Sequence, residues 1–120
     1  MKDLPDFSPP LLALETPITK LKRKTTSSTD YVEVVHWTVS ERKLGILRHV
    51  EMESDKYAKT RFKLTIAGVE QFKDQALEAS LSLEWPDVSL AAESVVLLEA
   101  KATEVTEINV DGDILGKEVG

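Results

Sequence analysis

His36 and His49 are the only histidines in the chain. Imidazole is the side chain whose ordinary pKa lets it exchange protons or hold metal near neutral pH. The two fall on strands expected to be neighbours, so they could approach each other. Catalysis or metal binding would need more: a third ligand, a nucleophile, or a carboxylate that orients the ring. With 21 acidic residues in the chain, a carboxylate somewhere nearby carries little information. Both histidines therefore read as surface or sheet-face residues.

Asp111-Gly112-Asp113 resembles a fragment of a calcium loop. Calcium takes about six to eight oxygens, and the spaced acidic positions of such a loop are missing here. The alternation around the tripeptide points to strand and turn instead. The sequence contains no phosphate-cradling Gly-rich loop, no Gly-x-Ser-x-Gly elbow and no His-Glu-x-x-His pair. It contains no cysteine, which excludes disulfides, cysteine-ligated zinc and thiol nucleophiles. An enzyme built on this chain would need a deep pocket holding His36 or His49 beside a carboxylate of perturbed pKa. The expectation is a non-enzymatic protein without catalytic, cofactor-binding or metal-binding residues.

Binding chemistry is better represented. Lys20-Leu21-Lys22-Arg23-Lys24 places four basic residues in five. It is open to two readings, a solvated charge run or a contact with an acidic partner. No aromatic residue interleaves with it to stack on bases, so specific nucleic-acid recognition is not expected. Trp37, Trp85, Tyr31, Tyr57, Phe62 and Phe72 raise a sugar-stacking reading, with Trp85 or Tyr57 as the platform. Core and sheet-edge packing is the stronger reading, because aromatics are only 6% of the chain and Phe62 alternates like a core residue.

The elements that must carry these residues are strands. Residues 1–29 show neither helical nor strand periodicity, and Pro5, Pro9, Pro10 and Pro17 punctuate them. They read as an extended N-terminal arm and linker, closed by Thr25-Thr26-Ser27-Ser28-Thr29. Its apolar residues Phe7, Leu11, Leu12, Leu14, Ile18 and Leu21 have no fold of their own to enter. Together with Lys20, Lys22, Arg23 and Lys24 they form the expected partner-binding set.

From Asp30 onward the period is two. Strands are expected at about 31–39, 44–53, 61–66, 69–72, 77–83, 95–102 and 108–114. Arg61 to Ile66 alternates without a fault, and Ala67-Gly68 offers a tight reversal. Trp85-Pro86-Asp87 should break the strand before it, with Val88 to Leu90 crossing to the next element. Seven or eight short strands with polar turns predict an all-β fold, a single antiparallel sandwich with jelly-roll-like connections over residues 30–120.

Size and charge agree. A chain of 120 residues is one domain with one core. Residues 1–29 carry a balance of +2, from five basic and three acidic groups. The rest carries −8, from ten basic and 18 acidic groups. The acidic body repels nucleic acid, and only the arm suits a phosphate or an acidic protein surface. Met1 to Phe7 lacks the features of a signal peptide, and no segment approaches the ~20 apolar residues of a membrane span. A non-secreted chain in a reducing compartment, or a particle assembled in one, is expected.

The stretch from Gly45 to Glu118 resembles small all-β virion structural proteins of tailed bacteriophages. The phrases that carry the resemblance are Val50-Glu51-Met52-Glu53-Ser54-Asp55, Phe62-Lys63-Leu64-Thr65-Ile66-Ala67-Gly68, Trp85-Pro86-Asp87 and Asp111-Gly112-Asp113-Ile114-Leu115-Gly116. The resemblance implies a capsid decoration, cementing or other head-associated protein located in the virion. Its partner would be the major capsid or another virion protein. It also implies a homo-oligomer, with trimers favoured, that clasps the shell through a terminal arm. A carbohydrate-binding or adhesion sandwich is the alternative.

Overall fold

The computed structural model describes residues 14–120. Eight strands run through them: β1 Glu15–Thr26, β2 Val32–Thr38, β3 Leu44–Ser54, β4 Thr60–Ile66, β5 Val69–Gln75, β6 Leu81–Leu90, β7 Val95–Ala102 and β8 Ile108–Val119. One helical turn, Tyr57–Lys59, links β3 to β4. All neighbours pair antiparallel, in two four-stranded sheets ordered β1-β8-β3-β6 and β2-β7-β4-β5. Strand β1 pairs with β8, β2 with β7, β3 with β6 and β4 with β5, as in one long hairpin that turns at Ala67-Gly68. The β3–β8 and β4–β7 pairs stitch that hairpin into a wrap. This is the two-sheet jelly roll expected from the strand spacing.

The turn works because both of its central residues take positive φ, 52° at Ala67 and 82° at Gly68. That is the twist a two-residue hairpin requires. Strand β4 then buries every second residue, Thr60, Phe62, Leu64 and Ile66. Strand β7 does the same with Val96, Leu98, Ala100 and Ala102. Strand β8 faces them from the other sheet with Ile108, Val110 and Ile114. The sheets meet closely at two glycines of β8. A Cβ on Gly112 would stand 2.6 Å from Leu98, and one on Gly116 would stand 2.3 Å from the Ile46 carbonyl oxygen and 3.2 Å from the Trp37 ring. Gly112 is closed to side chains by the opposite layer, and Gly116 by the backbone of the neighbouring β3 together with the Trp37 ring.

Several sequence expectations need correction. Arm and linker were expected through residue 29, but Glu15–Thr26 forms β1, in register with β8 from Glu15 opposite Val119 to Thr26 opposite Ile108. Pro17 is tolerated because β1 stands at the end of its sheet. Phe7, Leu11 and Leu12 lie outside the described residues.

The alternation at Leu77–Ser80 belongs to a loop, and β6 begins at Leu81. Trp85-Pro86-Asp87 does not end the strand. It forms a bulge against Arg48, between the pairs Leu47–Val88 and His49–Glu84, and the strand continues to Leu90. Pro86 lacks an N–H, yet β6 is also an end strand and can spare one. In β2 a second bulge turns both Val34 and Val35 inward, shifting the phase that simple alternation assigns.

Candidate functional site

Strand β1 is exposed along nearly its whole length. Only Ile18 and Thr26 are even half-buried, and Ile18 alone packs against the core. Leu14 and Leu21 stay in water, at 71% and 67% exposure. Successive side chains of a strand point to opposite faces. Lys20, Lys22 and Lys24 share one face, and Leu21 and Arg23 share the other with Thr25.

Arg23 is engaged. Its Nε and Nη2 donate to the two carboxylate oxygens of Asp111 on β8, at 2.7 and 2.9 Å. Lys20, Lys22 and Lys24 have no carboxylate partner among the described residues. Of the sequence-predicted binding set, the structure thus gathers Ile18, Lys20, Leu21, Lys22, Arg23 and Lys24 on β1, with Leu14 just before it. Arg23 is tied to its own domain, and Ile18 is partly covered.

The outer face of the same sheet is acidic. Asp111 and Asp113 of β8 stand directly opposite Glu53 and Glu51 of β3. Like charges facing across a ladder are destabilising. At the first rung Arg23 answers the repulsion. At the second rung His49 is the cation-forming group that reaches both carboxylates. Its Nε2 lies 3.5 Å from Asp113 Oδ1, 3.6 Å from Glu51 Oε1 and 3.4 Å from the Ser82 hydroxyl. Its Nδ1 lies 3.8 Å from Glu84 Oε2. Burial pushes the Asp113 carboxyl above its ordinary pKa, against the attraction of His49. Asp113 Oδ1 is shielded from solvent and accepts no hydrogen bond from the described residues. A groove of about 400 Å³ lined by Leu21, Arg23, Glu51, Glu53, Asp111 and Asp113 runs beside this rung.

His36 does not join His49. It lies on β2, in the other sheet, where its Nδ1 meets Glu33 Oε2 at 2.6 Å. The expected approach of the two histidines fails because the chain crosses from one sheet to the other between β2 and β3. The aromatics do not gather into an exposed platform. Trp37 and Phe62 are fully buried, and Trp85 and Phe72 pack against the core. Tyr31 is half-buried across the second sheet, held by Asp74 on β5 at 2.6 Å. Burial, followed by that hydrogen bond to Asp74, pushes its pKa up to about 12. Lys101 sits 4.8 Å above its ring. Tyr57 belongs to the turn after β3, where it borders a small cleft with Asp55 and Asn109 that adjoins the acidic groove at Arg23, Glu53 and Asp111.

Period two is enough to put His49, Glu51 and Glu53 on one face of β3 and Asp111 and Asp113 on one face of β8. Their juxtaposition is not legible in the sequence, because register between β3 and β8 leaves no trace in either segment alone. Strand β1 did leave one: the lysines at 20, 22 and 24 keep strict period two.

No family model matches this chain, and no curated protein matches it. No helix among the described residues is long and apolar enough to cross a membrane.

Proposed function

We propose that this jelly roll is a non-enzymatic structural module of a large assembly, of the capsid-decoration or head-associated class, and that it holds its neighbours through β1 and the residues before it. The observation that carries the reading is β1 itself, a 12-residue end strand exposed on both faces. Exposed end strands are templates for pairing with another chain, and monomeric proteins keep them short. Exposed Leu14 and Leu21 offer apolar area. The lysines at 20, 22 and 24 repel a second copy of the same strand and favour an acidic edge. The body of the chain is itself strongly acidic, so a head-to-tail contact between copies is complementary, and symmetry multiplies it. The resemblance to virion proteins and the jelly roll itself, a fold shared with capsid and lectin domains, point the same way. The virion is the corresponding location, and the major capsid protein or another virion protein the partner. The carbohydrate alternative gains no support from the aromatics.

The test is sedimentation of the full chain, alone and with candidate particles. The expected result is a multiple of 13.4 kDa or co-sedimentation with a much larger body. Reversing Lys20, Lys22 and Lys24 to Glu should abolish it. A chain that stays monomeric at every concentration and is retained by no particle would sink the reading.

A further inference from the structure

Three donor atoms from two strands converge on one rung of the acidic face. They come from His49, Glu51 and Asp113, all half-buried, and lie within 4.8 Å of one another. We propose that these residues form a binding site for a divalent transition-metal cation of the zinc class, with a further coordination position open to the neighbouring groove. This inference stands independently of the assembly reading.

Spacing is the first argument. Zinc bonds of about 2.1 Å in tetrahedral geometry place neighbouring donors about 3.4 Å apart. The observed separations from His49 Nε2 are 3.5 Å to Asp113 Oδ1 and 3.6 Å to Glu51 Oε1. The second argument is the orphaned oxygen. Asp113 Oδ1 is shielded from water and has no hydrogen-bond donor among the described residues. A buried acceptor without a donor is costly, and a cation relieves it. Third, the other nitrogen of His49 faces the Glu84 carboxylate at 3.8 Å. That is an ion-pair distance and not a hydrogen bond, and it places a carboxylate on the Nδ1 side, where metal-bound histidines usually find their outer partner, and leaves Nε2 turned toward Asp113 and Glu51. Fourth, the rung next to it carries the same opposition of carboxylates, Glu53 against Asp111, yet there Arg23 supplies a permanent cation.

The ligand set selects the ion. Magnesium and calcium prefer six or more hard oxygens, whereas an imidazole with carboxylates suits zinc and its neighbours. The same geometry weighs against nucleophilic catalysis by Ser82. Its hydroxyl is 3.4 Å from His49 Nε2, but an oxyanion would have to develop beside two carboxylates. A cation is favoured where an anion is repelled.

The test uses the full, untagged chain stripped with EDTA and titrated with zinc chloride, followed by calorimetry and thermal melting. One zinc per chain is expected. The melting temperature should rise by roughly 10 °C when zinc is about a hundredfold above its dissociation constant. His49→Gln and Asp113→Asn should each weaken zinc by more than about a hundredfold, and Glu84→Gln by about tenfold. Asp113→Asn keeps the side-chain shape and removes a like charge. It should melt no lower than the metal-free parent, so its lost response cannot be blamed on misfolding. His36→Gln should leave zinc binding intact. The proposal is overturned if zinc raises no melting temperature, if the response follows His36 instead of His49, or if calcium or magnesium binds as tightly as zinc.

Discussion

Two of the carboxylates on strand β8, Glu118 and Asp113, live under opposite rules. Glu118, near its end, points between the sheets and is only 5% exposed. Its Oε2 accepts from the Trp37 indole Nε1 at 3.0 Å and from the Ser40 backbone N–H at 2.9 Å. Burial pushes its pKa up, but these donors outweigh burial and hold it below its ordinary value. Asp113 points to the outer face with a side chain 20% exposed. Its shielded Oδ1 receives no such donor among the described residues, and burial pushes the carboxyl up. The difference teaches that burial alone does not decide a carboxylate's charge state. The donors aimed at it do. One carboxylate is a finished structural joint, and the other is short of a positive partner.

The largest expected effect lies at the finished joint. Glu118→Ala strands two donors around the best-buried indole and should cost about 3 kcal/mol of folding stability, read by chemical denaturation. A cost below 1 kcal/mol would mean that water takes over both bonds, and the contrast with Asp113 would weaken.

The pH dependence sharpens the comparison, because the two signs oppose. The folded-state pKa of Glu118 is depressed, so its contribution is present above the unfolded value near 4.5 and is lost as pH falls through the folded one. Asp113 is raised, so its penalty is absent below 3.8 and grows as pH rises from there through its folded pKa. In metal-free buffer, Glu118→Gln should therefore be destabilising at pH 7 and approach the parent in acid. Asp113→Asn should be stabilising at pH 7, by about 0.5–1 kcal/mol, and its advantage should vanish near pH 3.5. Parallel pH profiles for the two variants would break the argument.

The smallest effect is expected at Arg23. Its pair with Asp111 is short and two-pronged but open to solvent, and exposed pairs contribute little. Arg23→Gln should lower stability slightly at low salt and not at all at 1 M salt, where screening removes the attraction. A large, salt-independent loss would show that β1 is held by this pair instead of by its ladder to β8.

Local pattern alone determined much of this protein. The fault-free alternation of Arg61–Ile66, the reversal at Ala67-Gly68 and the strand at 95–102 all appear in the structure, because period two is a property of each segment by itself. The spacing of polar turns was enough to anticipate a jelly-roll-like sandwich. Features that depend on a neighbour were not legible. The bulges at Val34–Val35 and Trp85–Asp87 exist to match a facing strand. Strand β1 is a strand because β8 offers it a ladder, although its own side chains scarcely enter the core. The rung of His49, Glu51 and Asp113 joins β3 to β8, whose residues are more than sixty positions apart along the chain. Register across such a distance is fixed only when two whole sheets close on one another, and that closure belongs to the tertiary structure.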